Sequence, residues 1–436
     1  MPGIFCNANH GKIKPASQKG TSNPAMFRNL NRNTKYFLAS TMMYGFSYSV
    51  WDLFFNLYIL SLGFNNEILG LIRMVTPLAA LILGLPLGML TDRIGRRTSM
   101  ILGLVFGFGG MILEVHLTQP GWIIFFGLLQ GAGIMLYLIA QAPYIMGASK
   151  KENQAMIFSL NFGLMTLAAT IGNLVGGQVP GLLEKWLGLA QGTAVSYRWV
   201  ITGGIFLAAT SLIPILLMEE TGAQHTANAR DIPLKQLLRE IARRPVVRQL
   251  GLINLVTGLG AAILVPYFNV FLKARFDISD NLLGLVFSLS SLFVFFGSLL
   301  APWMARVARS RIIPTVLTQG ISLIFLFTLG FVPYLSVAAI SLLLRNVLMQ
   351  SASPLLDNFS MLVSPPEEQG TIASIRGIAW QAGQTAGLVI SGVVQSRYGF
   401  TPLFITTGFL YALGVFLTWY HFRPLEKELS DGLPAN

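Results

Sequence analysis

Six ionisable side chains fall inside long apolar stretches of the chain: Asp52, Arg73, Glu114, Arg345, Asp357 and Arg376. A charge among apolar residues is expensive to place, so such groups usually pair, carry ions or touch a ligand. Asp52 has the chemistry of a reversible proton carrier, because burial and neighbouring charge tune a carboxyl group toward the working pH range. Arg73 could instead neutralise Asp52 in a structural ion pair, and the sequence leaves both roles open. Arg345 has no acidic neighbour in sequence and suits an anionic group on a solute; the alternative is a distant acid such as Glu114. Asp357 is expected to pair with Arg306 in a nearby basic loop. Glu114 is expected to reach water at a helix end, and Arg376 to stretch toward a polar interface.

These groups are positioned by apolar runs of spanning length, about 20 residues. The runs fall near 36–62, 67–91, 98–117, 121–146, 154–178 and 197–218, then near 247–272, 281–304, 312–332, 335–362, 369–395 and 401–422. Lipid leaves bare backbone unsatisfied, and continuous rather than alternating runs select helices over a barrel. The chain of 436 residues is 53% hydrophobic but only 11% charged. A soluble domain carries about 25% charged residues, so much of the surface must face a lipid bilayer. The net charge of +12 collects between the runs, which points to membrane topology and away from nucleic acid. The single Cys6 excludes an internal disulfide and a cysteine-based metal site.

The expected organisation is an N-terminal tail (1–35), a six-helix bundle (36–218), a linker (219–246), a second six-helix bundle (247–422) and a C-terminal tail (423–436). In the linker, Leu234, Leu237, Leu238 and Ile241 recur at helical spacing opposite Lys235, Arg239, Arg243 and Arg244. That pattern suits a membrane-surface helix or a solvated one. The first 33 residues contain no apolar core of a cleaved signal. Lys and Arg in alternate loops place both termini in the cytoplasm. The two halves repeat. Phe55-Asn56-Leu57-Tyr58 returns as Phe268-Asn269-Val270-Phe271, and Leu69-Gly70-Leu71 as Leu283-Gly284-Leu285. Glu152, Gln154, Ser159, Gly172 and Gly177 return as Glu367, Gln369, Ser374, Gly387 and Gly392. A near-constant offset across several runs implies duplication, and paired bundles around a central site are a transporter architecture.

Between the second and third runs stands Gly88-Met89-Leu90-Thr91-Asp92-Arg93-Ile94-Gly95-Arg96-Arg97. Gly88 permits close helix contact and Gly95 a tight turn. Asp92 can pair with arginines or a helix N-terminus. The segment resembles the signature loop of the major facilitator superfamily, G-x-L-x-D-R-x-G-R-R/K, in composition and place. The resemblance implies an all-α membrane fold of 12 spans in two pseudo-symmetric six-helix bundles. It also implies that the loop latches the halves, with Asp92 near Arg376; the alternative is a topology anchor. At an offset of 213, Ala305 stands for Asp92, Arg306 for Arg93, Ala308 for Gly95 and Arg309 for Arg96. Gly172-Asn173-Leu174-Val175-Gly176-Gly177 resembles the family's antiporter motif with Asn173 in place of proline. Gln130-Gly131-Ala132-Gly133 resembles a second motif whose arginine is replaced by Gly127.

In the family, spans 1, 4, 7 and 10 line the cavity. By that resemblance the cavity candidates are Tyr44, Trp51, Gln130, Tyr137, Asn254, Tyr267, Asn269, Arg345 and Gln350; each could equally serve helix packing. No phosphate-binding loop, no H-E-x-x-H and no dinucleotide fingerprint occurs, so no cofactor, metal site or enzymatic reaction is expected. The expectation is a monomeric secondary transporter of a small organic solute in a plasma membrane, a bacterial inner membrane by its character. It would be proton-coupled through Asp52. Export of amphiphilic compounds suits the aromatic residues; uptake of a sugar or organic anion suits Arg345; a non-transporting receptor or scaffold is the reading from another class.

Overall fold

The computed structural model describes residues 30–149, 151–220, 244–363 and 369–430. The expected linker helix and most of both tails lie outside the described residues. Twelve helical elements follow the twelve apolar runs. In the first half they are α1 (Arg32–Ser61), α2 (Asn66–Ile94), α3 (Arg96–His116), α4 (Pro120–Ala148), α5 (Lys151–Leu187) and α6 (Ala194–Leu216, broken near Thr210). In the second they are α7 (Pro245–Phe276, broken by a 3-10 turn at Val265–Tyr267), α8 (Asp280–Ala308), α9 (Ile312–Phe331), α10 (Leu335–Leu362), α11 (Gln369–Tyr398) and α12 (Thr401–Ser430). Several helices outrun the sequence estimate: α5 continues to Leu187 and α12 to Ser430. Their last turns are too polar to register as apolar runs.

Ten of these helices are long and apolar enough to cross a membrane. The other two, α1 and α11, are diluted by the polar residues they turn inward. Large side chains such as Phe206, Ile324 and Phe409 are exposed on the outer surface. For a multi-pass membrane protein, lipid is their solvent.

The repeat is structural. Within the first half α1 packs on α5 and α6, and α4 on α2 and α3; the second half copies this with α7 on α11 and α12, and α10 on α8 and α9. Small details are copied too. Asn65 caps α2 by accepting from the Ile68 amide (3.0 Å), and Ser279 caps α8 from Leu282 (3.4 Å). The Gln154 amide donates to the Met146 carbonyl (3.2 Å) as Gln369 does to Met361 (3.0 Å). Each bond satisfies a backbone group that lipid could not.

The halves meet along two symmetry-related crossings, α2 on α11 and α5 on α8. Both depend on absent side chains. A Cβ on Gly70 would stand 2.8 Å from the Gly392 Cα, and one on Gly177 2.7 Å from the Gly284 Cα. Between the crossings lies a reciprocal amide clasp. Asn56 donates to the Pro266 carbonyl (2.6 Å) and to the Asn269 Oδ1 (3.1 Å), while Asn269 donates to the Leu53 carbonyl (2.8 Å). Lys273 and Asp280 of the second half pair at 2.6 Å, and both bond the Tyr197 hydroxyl of the first. These contacts close one end of the interface; toward the other end, which carries the Asp92 loop, the halves are parted by a cavity.

Substituting Gly284 by valine would drive a branched side chain toward the Asn173 carbonyl, which lies 2.6 Å from a Cβ at that position. We expect the whole closed end to part, so that spin labels on Asn65 and Arg397, at the far crossing, move apart. An unchanged distance distribution would mean that the glycine crossings do not set the closure.

Candidate functional site

The cavity between the halves has a volume of about 650 Å3 and is bordered by residues of α1, α5, α7, α8, α9, α10, α11 and α12. That volume lies in the range of small-molecule sites. Its wall is rich in hydrogen-bonding groups, among them Ser49, Asn173, Asn254, Thr257, Ser290 and Gln384. Asp52, Arg345, Asp357 and Arg376 also border it.

Three of those four charges are neutralised. Asp52 accepts from Arg73 at 2.9 Å, so the ion pair weighed against proton carriage is formed. Asp357 accepts from Arg376 at 2.6 Å, and Arg376 also donates to the Ser360 hydroxyl. The expected Asp357–Arg306 pair is absent: Arg306 is exposed on the last turn of α8, and Asp357 is held by Arg376 of α11 instead.

Arg345 is different. It is only 4% exposed, yet makes no ion pair among the described residues. The suggested partnership with Glu114 does not form. Instead Arg345 donates to the Asn346 Oδ1 (2.8 Å) and the Tyr411 hydroxyl (2.9 Å). Its guanidinium lies 5.5 Å and 5.4 Å from the Phe268 and Tyr411 ring centres. Asn346 is itself oriented by donating to the Ser290 hydroxyl (2.7 Å). The Arg345 Nε has no acceptor. A guanidinium held beside two rings and uncompensated among the described residues has the chemistry to attract a carboxylate or phosphate oxygen.

A second cavity, about 250 Å3, lies against the first and shares Pro266, Trp380 and Gln384 with it. Trp51, Arg73, Glu114 and Gln130 border it. Glu114 is 1% exposed, so the expectation that it reaches water at a helix end fails; α3 turns it toward α2 and α4.

Of the cavity residues expected from sequence, Asn254, Arg345 and Gln350 border the large cavity, and Trp51 and Gln130 the small one. Tyr44 and Tyr137 border neither; their rings pack together at 5.1 Å inside the first bundle. Tyr267 is fully buried beside the break in α7, and Asn269 belongs to the clasp. Span membership alone cannot say which face of a helix looks inward. Asn346, Tyr411, Ser290 and Phe268 were missed; only the adjacency of Asn346 to Arg345 was a usable signal.

The Asp92 loop is organised within its own half. Gly95 turns the chain at φ 89°, as expected. Arg96 donates to the Pro143 carbonyl (2.8 Å) and Arg97 to those of Ile215 and Leu216, tying the loop to the ends of α4 and α6. Glu220 accepts from the amides of Arg96 and Arg97 at 2.9 and 3.2 Å, compensating the N-terminus of α3. Glu426 does the same for Arg311 and Ile312 at the start of α9. Arg309 adopts φ 47° at the end of α8, as Gly95 does at the end of α2. It, rather than Ala308, is therefore the structural counterpart of Gly95. A Cβ on Gly88 would meet nothing, so the expected close contact there is not made. Asp92 and Arg93 are exposed, and Asp92 does not reach Arg376. A latch across the halves has no partner to engage while the cavity separates them at this end.

Comparison with known proteins agrees with this architecture. The family model described as Major Facilitator Superfamily matches residues 37–388 and again 250–435. An uncharacterized MFS-type transporter of Bacillus subtilis, YhjO, is 21% identical over 82% of this chain and 85% of its own length. A multi-drug resistance efflux pump PmrA homolog of Lactococcus lactis is 20% identical over 88% of this chain and 94% of its own. Among solved structures, the nucleoside transporter NupG superposes with a TM-score of 0.70 at 14% identity, covering 90% of this chain and 99% of that one. A bacterial homolog of the human lysosomal transporter Spinster, in an inward-facing and unoccupied conformation, gives 0.68 at 14% identity over 91% and 94%. With the duplicated bundles, the cavity between them and the Asp92 loop already in place, the chain belongs to the major facilitator superfamily of membrane transporters.

Proposed function

We propose that this chain is a secondary transporter of a small organic anion, bound in the large cavity and anchored by Arg345. The observation that carries this reading is the buried guanidinium that no carboxylate neutralises among the described residues. A cation removed from water is stable only with compensation. In every other charged pair on the cavity wall that compensation is internal. At Arg345 the substrate supplies it, with the Tyr411 hydroxyl as a further donor and the polar wall for the remainder of the solute.

Transport follows from closing either end in turn around the fixed site. One end is sealed by glycine crossings and the amide clasp. The other is sealed, on this proposal, by the latch between the Asp92 loop and Arg376 that the sequence suggests. The driving force is an ion gradient, and we favour the proton. Uptake together with protons is the direction that a cationic site supports. Export is the second reading, favoured by the similarity to the Lactococcus lactis efflux pump homolog; an imposed pH gradient across proteoliposomes separates the two by the sign of net flux. With Lys and Arg on the loops beside Asp92, that end and both termini face the cytoplasm of a bacterial cell.

A thermal-shift screen tests the site. Monocarboxylates should raise the melting temperature of the purified protein while their neutral amides should not, because a ligand that binds only the folded state stabilises it. Arg345→Gln should weaken the best carboxylate by roughly ten- to a hundredfold, the worth of a charge-assisted hydrogen bond. Equal stabilisation by acid and amide, or full affinity in the variant, would refute the anion reading.

Tyr411→Phe keeps the ring against Arg345 but removes the hydroxyl. Affinity for the same carboxylate should fall by roughly three- to tenfold, as for one neutral hydrogen bond. No loss would place the Tyr411 hydroxyl outside the site.

A further inference from the structure

The small cavity contains a group that the proposed anion site does not use. Glu114 is 1% exposed, and its Oε1 is buried with no hydrogen-bond partner. It faces the same cavity as Arg73, which is itself bound to Asp52 at 2.9 Å. Asp52 borders the other cavity, where the anion would sit. One arginine is thus bound to a carboxylate of the large cavity and borders the small cavity together with a second carboxylate.

We propose that Glu114 carries the coupling proton and that Arg73 transmits its charge to the anion site through Asp52. This rests on the transport reading above. The proton comes from water in the cavity and adds to a carboxylate oxygen of Glu114; it leaves to water by the reverse step. With Glu114 protonated, Arg73 is held by Asp52 alone, and Asp52 is neutralised. When the proton leaves, the buried Glu114 anion has no donor of its own, and a buried charge without a partner is costly. It draws Arg73 toward itself. Asp52 is then left uncompensated on the wall of the large cavity and repels the bound anion. Proton and anion therefore bind together and leave together, which is co-transport. The expected role of Asp52 as carrier passes to Glu114: Asp52 is about half exposed and already paired, whereas Glu114 is enclosed.

The surroundings contain few competing charges. On α2 the group is Arg73; on α1 it is Tyr48, with Asp52 reached only through Arg73; α4 presents the uncharged Gln130 and Gly127. On α6, Arg198 lies over the Tyr58 ring, whose hydroxyl bonds the Val115 carbonyl next to Glu114. His116 on the same helix is exposed and bonded to the Ile112 carbonyl.

Two measurements test this. Infrared difference spectra of the solute-free protein between low and high pH should contain a carboxylic-acid carbonyl band that Glu114→Gln removes and Asp52→Asn retains. The second is the pH dependence of affinity for the monocarboxylate found in the thermal-shift screen. Wild type should bind more tightly as pH falls. Glu114→Gln, a neutral mimic of the protonated acid, should bind at the wild-type low-pH affinity at every pH. A merely structural Glu114 would instead give weakened binding with the pH slope intact, and that result overturns the proposal. So does a carbonyl band that survives Glu114→Gln. If no carboxylate binds wild type at all, the transport reading fails, while the infrared band still decides whether Glu114 takes the proton.

Discussion

The close approach of the two halves at one end is the constraint on which the remaining geometry depends. Two helices can cross with backbones nearly touching only where neither presents a side chain. Gly70 with Gly392 and Gly177 with Gly284 meet that requirement twice, related by the internal repeat. The amide clasp of Asn56 and Asn269 lies between them and occupies the Pro266 carbonyl that the break there would otherwise leave bare. With this end drawn together, the same rigid bundles diverge toward the other and the cavity lies between them. The position of Arg345, the separation of Asp92 from Arg376 and the partition of Asp52 and Glu114 into two compartments all follow from that arrangement.

On the proposed reading, charge rather than shape discriminates within the cavity. Lipid outside and low dielectric inside make every unpaired charge costly. The wall answers with short internal pairs at Asp52–Arg73 and Asp357–Arg376. Arg345 is the exception among the described charges bordering the large cavity, and its bonds to Asn346 and Tyr411 hold the guanidinium without cancelling its charge. A site that is rigid but uncompensated is preorganised for an anion.

Much of the fold was legible in the sequence because its signals are local. Twelve apolar runs became twelve helical elements, and the repeat that relates Gly70 to Gly284 and Gly177 to Gly392 proved to be the repeat of the interface itself. The Asp52–Arg73 alternative was visible as well, since both charges stand in apolar runs. The cavity was less legible. Tyr44, Tyr137 and Tyr267 have the right types on the right helices but face the bundle interior, and facing depends on rotations that composition does not encode. Arg376 rather than Arg306 took Asp357, because Arg306 is exposed at the last turn of α8, and no spacing announced that choice. The caps at Glu220 and Glu426 join residues far apart in sequence, so no spacing announced them.

Arg345 is the proposed anchor for a solute that crosses the membrane. Counterflow in proteoliposomes addresses this directly: vesicles preloaded with an unlabelled monocarboxylate are diluted into a trace of the labelled compound. We predict transient accumulation of label above equilibrium with the wild-type protein and none with Arg345→Gln reconstituted to the same density. Equal accumulation in both, or none in either for any acid that binds, would contradict the account.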